Sequence, residues 1–138
     1  MLLVRLLKGS ERVTITSKAP GKLFIAGEYA VVESGHGAIV AAVSRYLTVT
    51  IDETTNVGTL TSTQNPDVIV EWTREGDQFC TKGDHPYRLV EEAILVAEQY
   101  VRECGTATNA LYSLAITSEL DDAKRGIKYG LGSSGAVV

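Results

Sequence analysis

Lys128 to Val138 reads KYGLGSSGAVV, and this run holds the residues best suited to chemistry. Gly130, Gly132 and Gly135 free the backbone to turn tightly, with Leu131 between the first two, and Ser133 and Ser134 stand where a helix would open. A tight loop feeding the first turn of a helix presents unpaired N–H groups and the positive end of the helix dipole, so it attracts phosphate. A serine there can hydrogen-bond a phosphate oxygen or ligate Mg²⁺. It can equally cap the helix, and one of the pair can do each. Lys128 can hold a phosphate oxygen, or it is a solvated loop lysine.

The three glycines satisfy G-x-G-x-x-G, and Val137 extends the pattern to G-x-G-x-x-G-x-V. A dinucleotide fingerprint needs a strand running straight into the first glycine. Here the preceding apolar strand ends near Thr117, well before Gly130. A protein-kinase loop needs a hairpin early in its domain and a V-A-I-K-type lysine after it. The Walker pattern fails because no lysine follows a glycine at the required offset. The loop therefore suits phosphate without matching those three contexts.

The elements that must position it follow from composition and periodicity. The chain has 138 residues, enough for one domain with a hydrophobic core. Its net charge of −4 argues against nucleic-acid or membrane-surface binding, both of which favour a basic face. Lys124, Arg125 and Lys128 form a local basic exception beside the loop. Cys80 and Cys104 lack metal-knuckle spacing and read as free thiols, while His36 and His85 have no partner spacing for a metal or a triad. No stretch reaches the roughly 18 apolar residues of a membrane span. The opening MLLVRLLKGSERV lacks a signal-peptide pattern and reads as a leading strand or frayed terminus, so a cytoplasmic protein is expected.

Val13, Ile15 and Ser17 alternate with polar neighbours as a strand does; Pro20-Gly21 is expected to break it before Lys22 to Ala26 resumes. Gly35 and Gly37 bracket a turn leading to AIVAAVS and YLTVTID, the latter with Leu47, Val49 and Ile51 on one face. GTLTST and VIVEW read as two strands joined at Asn65-Pro66-Asp67. Leu89, Val90, Ala93, Ile94, Ala97, Val101 and Cys104 trace a helical stripe, with Pro86 in its first turn and Gly105 at its stop. Leu111 to Thr117 is a further strand, and Ser118 to Tyr129 a polar loop. The order is that of an α+β arrangement.

Ala19 to Val32, APGKLFIAGEYAVV, together with the terminal glycine loop, resembles the first two signatures of the GHMP small-molecule kinases. Both occur in the family's order. The stretch GEYAVVE and the pair Lys128-Tyr129 are similar to the branch that phosphorylates 5-phosphomevalonate; Tyr29 replaces the usual histidine and Gly135 the usual alanine. The resemblance implies a mixed-sheet N-terminal domain over residues 1–138 with a left-handed β-α-β crossover, incomplete at the phosphate-loop helix. It implies ATP and Mg²⁺ as cofactors and phosphomevalonate as the small-molecule partner, with no nucleic acid and no membrane. Gly130 to Gly135 would hold the nucleotide and Ser134 the metal. Lys22 would supply a fixed charge to the transferring group and the acceptor, with Lys128 beside it. Glu28 and Tyr29 would orient the acceptor. Blandly read, Lys22 is a strand-edge lysine, Glu28 a loop carboxylate and Tyr29 a half-buried aromatic. The remaining catalytic groups would lie beyond this segment, so it is expected to be inactive alone. A mevalonate-phosphorylating relative, and a non-catalytic nucleotide- or anion-binding domain, are the alternatives.

Overall fold

The computed structural model describes residues 14–106, 109–122 and 125–138. The opening segment, Val13 and Lys124, for which expectations were formed, lie outside those residues.

Two long strands, β1 (Thr14–Ala26) and β2 (Ile39–Thr54), pair antiparallel as a ribbon. Then follow β3 (Gly58–Ser62), β4 (Val70–Glu75), β5 (Gln78–Thr81), helix α1 (Arg88–Glu103) and β6 (Leu111–Ser118). They form one sheet in the order β1-β2-β6-β3-β4-β5. Every pairing is antiparallel except β3 with β6. α1 lies in the connection between those parallel neighbours, so the crossover of the expected mixed α+β fold is present. Parallel neighbours need a long connection, and the helix supplies part of it.

The register shows why one face is the core. Val49 and Ile51 stand opposite Ile116 and Leu114, which in turn neighbour Ser62 and Leu60, followed by Val70 and Trp72. Side chains alternate between faces, so all of these point the same way. The opposite face carries Thr48, Thr50, Thr59, Thr61 and Ser113, all half-buried. α1 lies on the apolar face through Val90 and Ile94, which join Leu47, Leu60, Trp72 and Leu114 in one buried cluster.

Several expectations are corrected. Pro20-Gly21 does not end the first strand; β1 runs through it with a register shift. Proline is tolerated there because β1 is an edge strand and the site is a bulge. Pro86 precedes the helix, whose N-cap is Tyr87. Ser118 to Tyr129 is not wholly loop, since β7 (Asp121–Asp122) pairs with β8 (Ile127–Lys128). β5 was not anticipated; it follows a turn at Gly76, whose φ is +63°.

The helical stripe also differs from expectation. Leu89, Ala97 and Cys104 are exposed, and Glu98 takes a buried place between Ile94 and Val101. Its carboxylate, 1% exposed, accepts from Arg74 at 2.7 and 3.1 Å and from the Tyr112 hydroxyl at 3.2 Å. Arg74 also donates to the Ala110 carbonyl at 3.1 and 2.9 Å and to the Asp77 carbonyl at 3.2 Å. This knot ties α1 to β4 and β6. Burial alone would lower the Arg74 pKa, but the Glu98 hydrogen bond and charge outweigh it and hold the guanidinium above its ordinary value. Burial, then the Glu98 charge and hydrogen bond, push the Tyr112 phenol far above its usual range.

The far end of the ribbon leaves Leu23, Ile25, Ile39 and Val40 exposed. Among the described residues no helix is long and apolar enough to cross a membrane.

Removing one partner of a buried ion pair strands the other, so Glu98→Ala should lower unfolding free energy by about 3–5 kcal/mol in urea titration. Tyr112 and Tyr87 both keep their protons more firmly when folded. The unfolded phenols ionise near pH 10, so stability should be full below that value and fall as pH rises beyond it. Tyr112→Phe should flatten this alkaline decline in thermal melts.

Candidate active site

β1 and the glycine loop meet at Lys22. Its backbone N–H donates to the Leu131 carbonyl at 2.9 Å, so the loop adds to the free edge of the strand. Gly132 follows with a φ of +72°, a conformation that disfavours any residue with a Cβ. Space matters as much there. A Cβ at Gly132 would lie 2.9 Å from Cγ and 3.0 Å from Cε of Lys22. The lysine stem therefore lies directly over the glycine. On the neighbouring strand position, a Cβ at Gly21 would meet Leu120 at 2.6 Å and Leu131 at 3.2 Å. Two glycines thus let the loop settle onto β1.

Helix α2 (Ser133–Val137) starts immediately after Gly132, which is its N-cap. No side chain caps it, so neither serine serves the capping role considered from sequence. Ser133 and Ser134 instead line a cavity of about 420 Å³, shared with Gln64, Asn65, Asp121, Asp122, Gly126, Ile127 and Lys128. Its lining mixes a lysine, two hydroxyls, two amides and two carboxylates. Gln64 donates to Asp121 across it, and Asp122 accepts the Arg125 backbone N–H at 3.2 Å. A smaller cavity of about 120 Å³ lies between Ser133, Ser134 and the start of α1.

Among the described residues neither Lys22 nor Lys128 has a carboxylate within ion-pair distance. The Lys22 ammonium sits 5.2 Å from the Phe24 ring centre. Lys128 lines the larger cavity; Lys22 does not, and approaches the loop from the β1 side over Gly132. Glu28 and Tyr29 form the turn after β1, and Tyr29 is 85% exposed rather than half-buried. They line none of the cavities described here. A third hollow, about 180 Å³ between α1 and β2, is lined mainly by aliphatic side chains such as Val49, Ile51 and Val137, and offers no cation.

Gln64, Asn65, Asp121 and Asp122 were missed as site residues. The Asn65-Pro66-Asp67 signal marked only a turn, and the acidic pair read as solvated loop. Arg45 was missed as well; its guanidinium lies 5.7 Å over the Tyr129 ring, between Lys128 and Gly130 in sequence. The available signal was one charge inside the otherwise uncharged AIVAAVSRYLTV.

About nine-tenths of the chain aligns with a curated relative. It is 37% identical over 135 residues to the phosphomevalonate kinase of Streptomyces sp. (strain CL190). The chain resembles phosphomevalonate kinase. Solved structures agree. The Streptococcus pneumoniae phosphomevalonate kinase in complex with phosphomevalonate and AMPPNP matches 89% of the chain at 29% identity, with a TM-score of 0.68. The Lin0012 protein from Listeria innocua matches 91% at 38% identity, with a TM-score of 0.75. The chain spans about a third of each: 35% of the Streptomyces kinase, 33% of the pneumococcal structure and 34% of the Listeria one. No family model matches.

Gly135 has an open surround inside α2. Gly135→Ala should therefore hold or raise stability, by about 0.5–1 kcal/mol. Gly132→Ala should cost at least about 1–2 kcal/mol, from its left-handed backbone and the Lys22 stem. Paired urea titrations of the two variants check this.

Proposed function

We propose that this chain is the N-terminal, ATP-binding part of a cytoplasmic kinase that moves the γ-phosphoryl group of ATP onto 5-phosphomevalonate, giving 5-diphosphomevalonate and ADP. The observation that carries this reading is the seating of Lys22 on Gly132, next to two serines that line a polar cavity. The likeness to phosphomevalonate kinase over 90% of the chain supports the choice of reaction.

In this reading an oxygen of the acceptor phosphate attacks the γ-phosphorus. The bond from that phosphorus to the β–γ bridging oxygen breaks, and ADP leaves with the bond's electrons. The acceptor is already ionised, so it needs a proton acceptor less than an alcohol would. The difficulty is charge, since two polyanions must approach. Catalysis is then mainly positioning and neutralisation.

The backbone of Gly130 to Gly135 cradles the nucleotide phosphates. Gly132, with no side chain of its own, leaves room for the Lys22 stem to lie over the loop. Lys22, with no carboxylate partner among the described residues, offers its charge to the transferring group and the acceptor, and Lys128 holds a nucleotide phosphate oxygen from the cavity wall. Glu28 and Tyr29 orient the acceptor. The cavity that Ser134 lines also carries the carboxylates of Asp121 and Asp122, and hydroxyl and carboxylate oxygens suit a hard cation. Ser134 would hold Mg²⁺, which when bound offsets phosphate charge. The 138 residues alone would bind nucleotide without transferring phosphate.

Lys22→Met tests the assignment in a protein of the relatives' length. Methionine keeps an aliphatic stem over Gly132 and removes the charge. Turnover should fall about 10²-fold or more, while melting temperature holds. A variant that loses only phosphate affinity would favour the non-catalytic binding domain. Offering mevalonate and phosphomevalonate side by side in a coupled ADP assay identifies the acceptor; product from mevalonate alone would replace this branch with its relative.

A further inference from the structure

The side chain of Tyr87, the N-cap residue of α1, is tied to the wall of the cavity rather than to the helix it opens. Tyr87 is 4% exposed, and its hydroxyl lies 2.9 Å from the Val68 carbonyl and 3.1 Å from the Asn65 carbonyl. Those carbonyls belong to the turn between β3 and β4, which also holds itself through Asn65 N–H to the Ser62 carbonyl at 3.1 Å and Val68 N–H to the Asn65 carbonyl at 3.0 Å. The turn's other fastenings face β6 and β7: Thr63 N–H donates to the Ile116 carbonyl at 3.0 Å, and Gln64 donates to Asp121. Tyr87 is thus the fastening on the α1 side.

The placement of this turn is specific. Gln64 and Asn65 line both cavities that flank Ser133 and Ser134. The Tyr87 position is itself set from behind. Its backbone N–H donates to His85 Nδ1 at 3.2 Å, leaving Nε2 to carry the ring hydrogen toward Thr81 Oγ1 at 3.0 Å. A chain of fixed contacts therefore runs from β5 through His85 and Tyr87 to the wall opposite the two serines.

We propose that Tyr87 is a positioning residue for the nucleotide: its hydroxyl holds Gln64 and Asn65 against the Ser133–Ser134 step and so sets nucleotide affinity, without acting on the transfer itself. This rests on the kinase function proposed above. The ligand class is a nucleoside triphosphate, and the residue acts only through the turn it grips.

The test is Tyr87→Phe, which removes one oxygen and keeps the ring. One hydrogen bond lost from a prearranged wall corresponds to roughly a two- to tenfold change in binding. In a protein of the relatives' length, we expect the Kd for MgATP and the KM for ATP to rise by that factor, with kcat and the acceptor KM within twofold of the parent. Trp72→Phe is the control, because Trp72 lines neither flanking cavity yet loses a buried hydrogen bond to the Tyr112 carbonyl. It should lower the melting temperature and leave the Kd for MgATP alone. An unchanged Kd in Tyr87→Phe, or an equal rise in Trp72→Phe, overturns the positioning role. If the unaltered protein binds no MgATP, the kinase function itself fails instead. Should Tyr87→Phe not fold, amide exchange in the unaltered protein decides: MgATP must slow exchange at Asn65 and Val68, and unchanged rates there overturn the proposal.

Discussion

The lysine stem lying over Gly132 is the contact on which the rest of the site depends. It needs three conditions at once: an edge strand with a free N–H to donate, a glycine in the left-handed region, and a small residue at position 21. β1 supplies the first because it has a sheet neighbour on one side only. Gly132 and Gly21 supply the others. Remove any of them and the loop must lift from the strand, carrying Ser133 and Ser134 away from the lysine. A long-range pairing of residues more than a hundred positions apart is thereby fixed by close packing rather than by charge.

The scaffold behind the site is held differently. Its far side depends on a charged knot, Arg74 with Glu98, inside a region otherwise filled by Trp72, Phe79 and Tyr112. Such a pair contributes little net stability compared with apolar packing, yet losing one half leaves a buried charge. The knot fixes the rotation of α1 about its axis, since only one face presents Glu98. That rotation in turn determines where Tyr87 points, at the other end of the helix.

Much of the fold was legible because its signals are local. The alternation in YLTVTID, the one- and two-turn helical spacing of Val90, Ile94 and Val101, and the turn at Asn65 each read correctly from neighbours alone. Failures came where tertiary context overrides a local rule. Pro20 looks like a stop, but an edge strand has no ladder bond for it to break. Glu98 looks solvated, but Arg74 waits on another strand. The glycine loop and Lys22 were recognisable as pieces, and their juxtaposition is a matter of topology. Gln64, Asn65, Asp121 and Asp122 carried no motif, because ordinary polar residues in turns look alike until the chain folds them around one cavity.

One feature of the ribbon bears on how the molecule behaves among its own copies. A border strand with apolar side chains and unpaired amides is an adhesive template for other chains. Leu23 and Ile25 give β1 that character. The bond from Lys22 to Leu131 occupies part of that border, so the docked loop also shields it. Loosening the loop would then uncover a sticky seam, and solubility would decline together with ligand recognition.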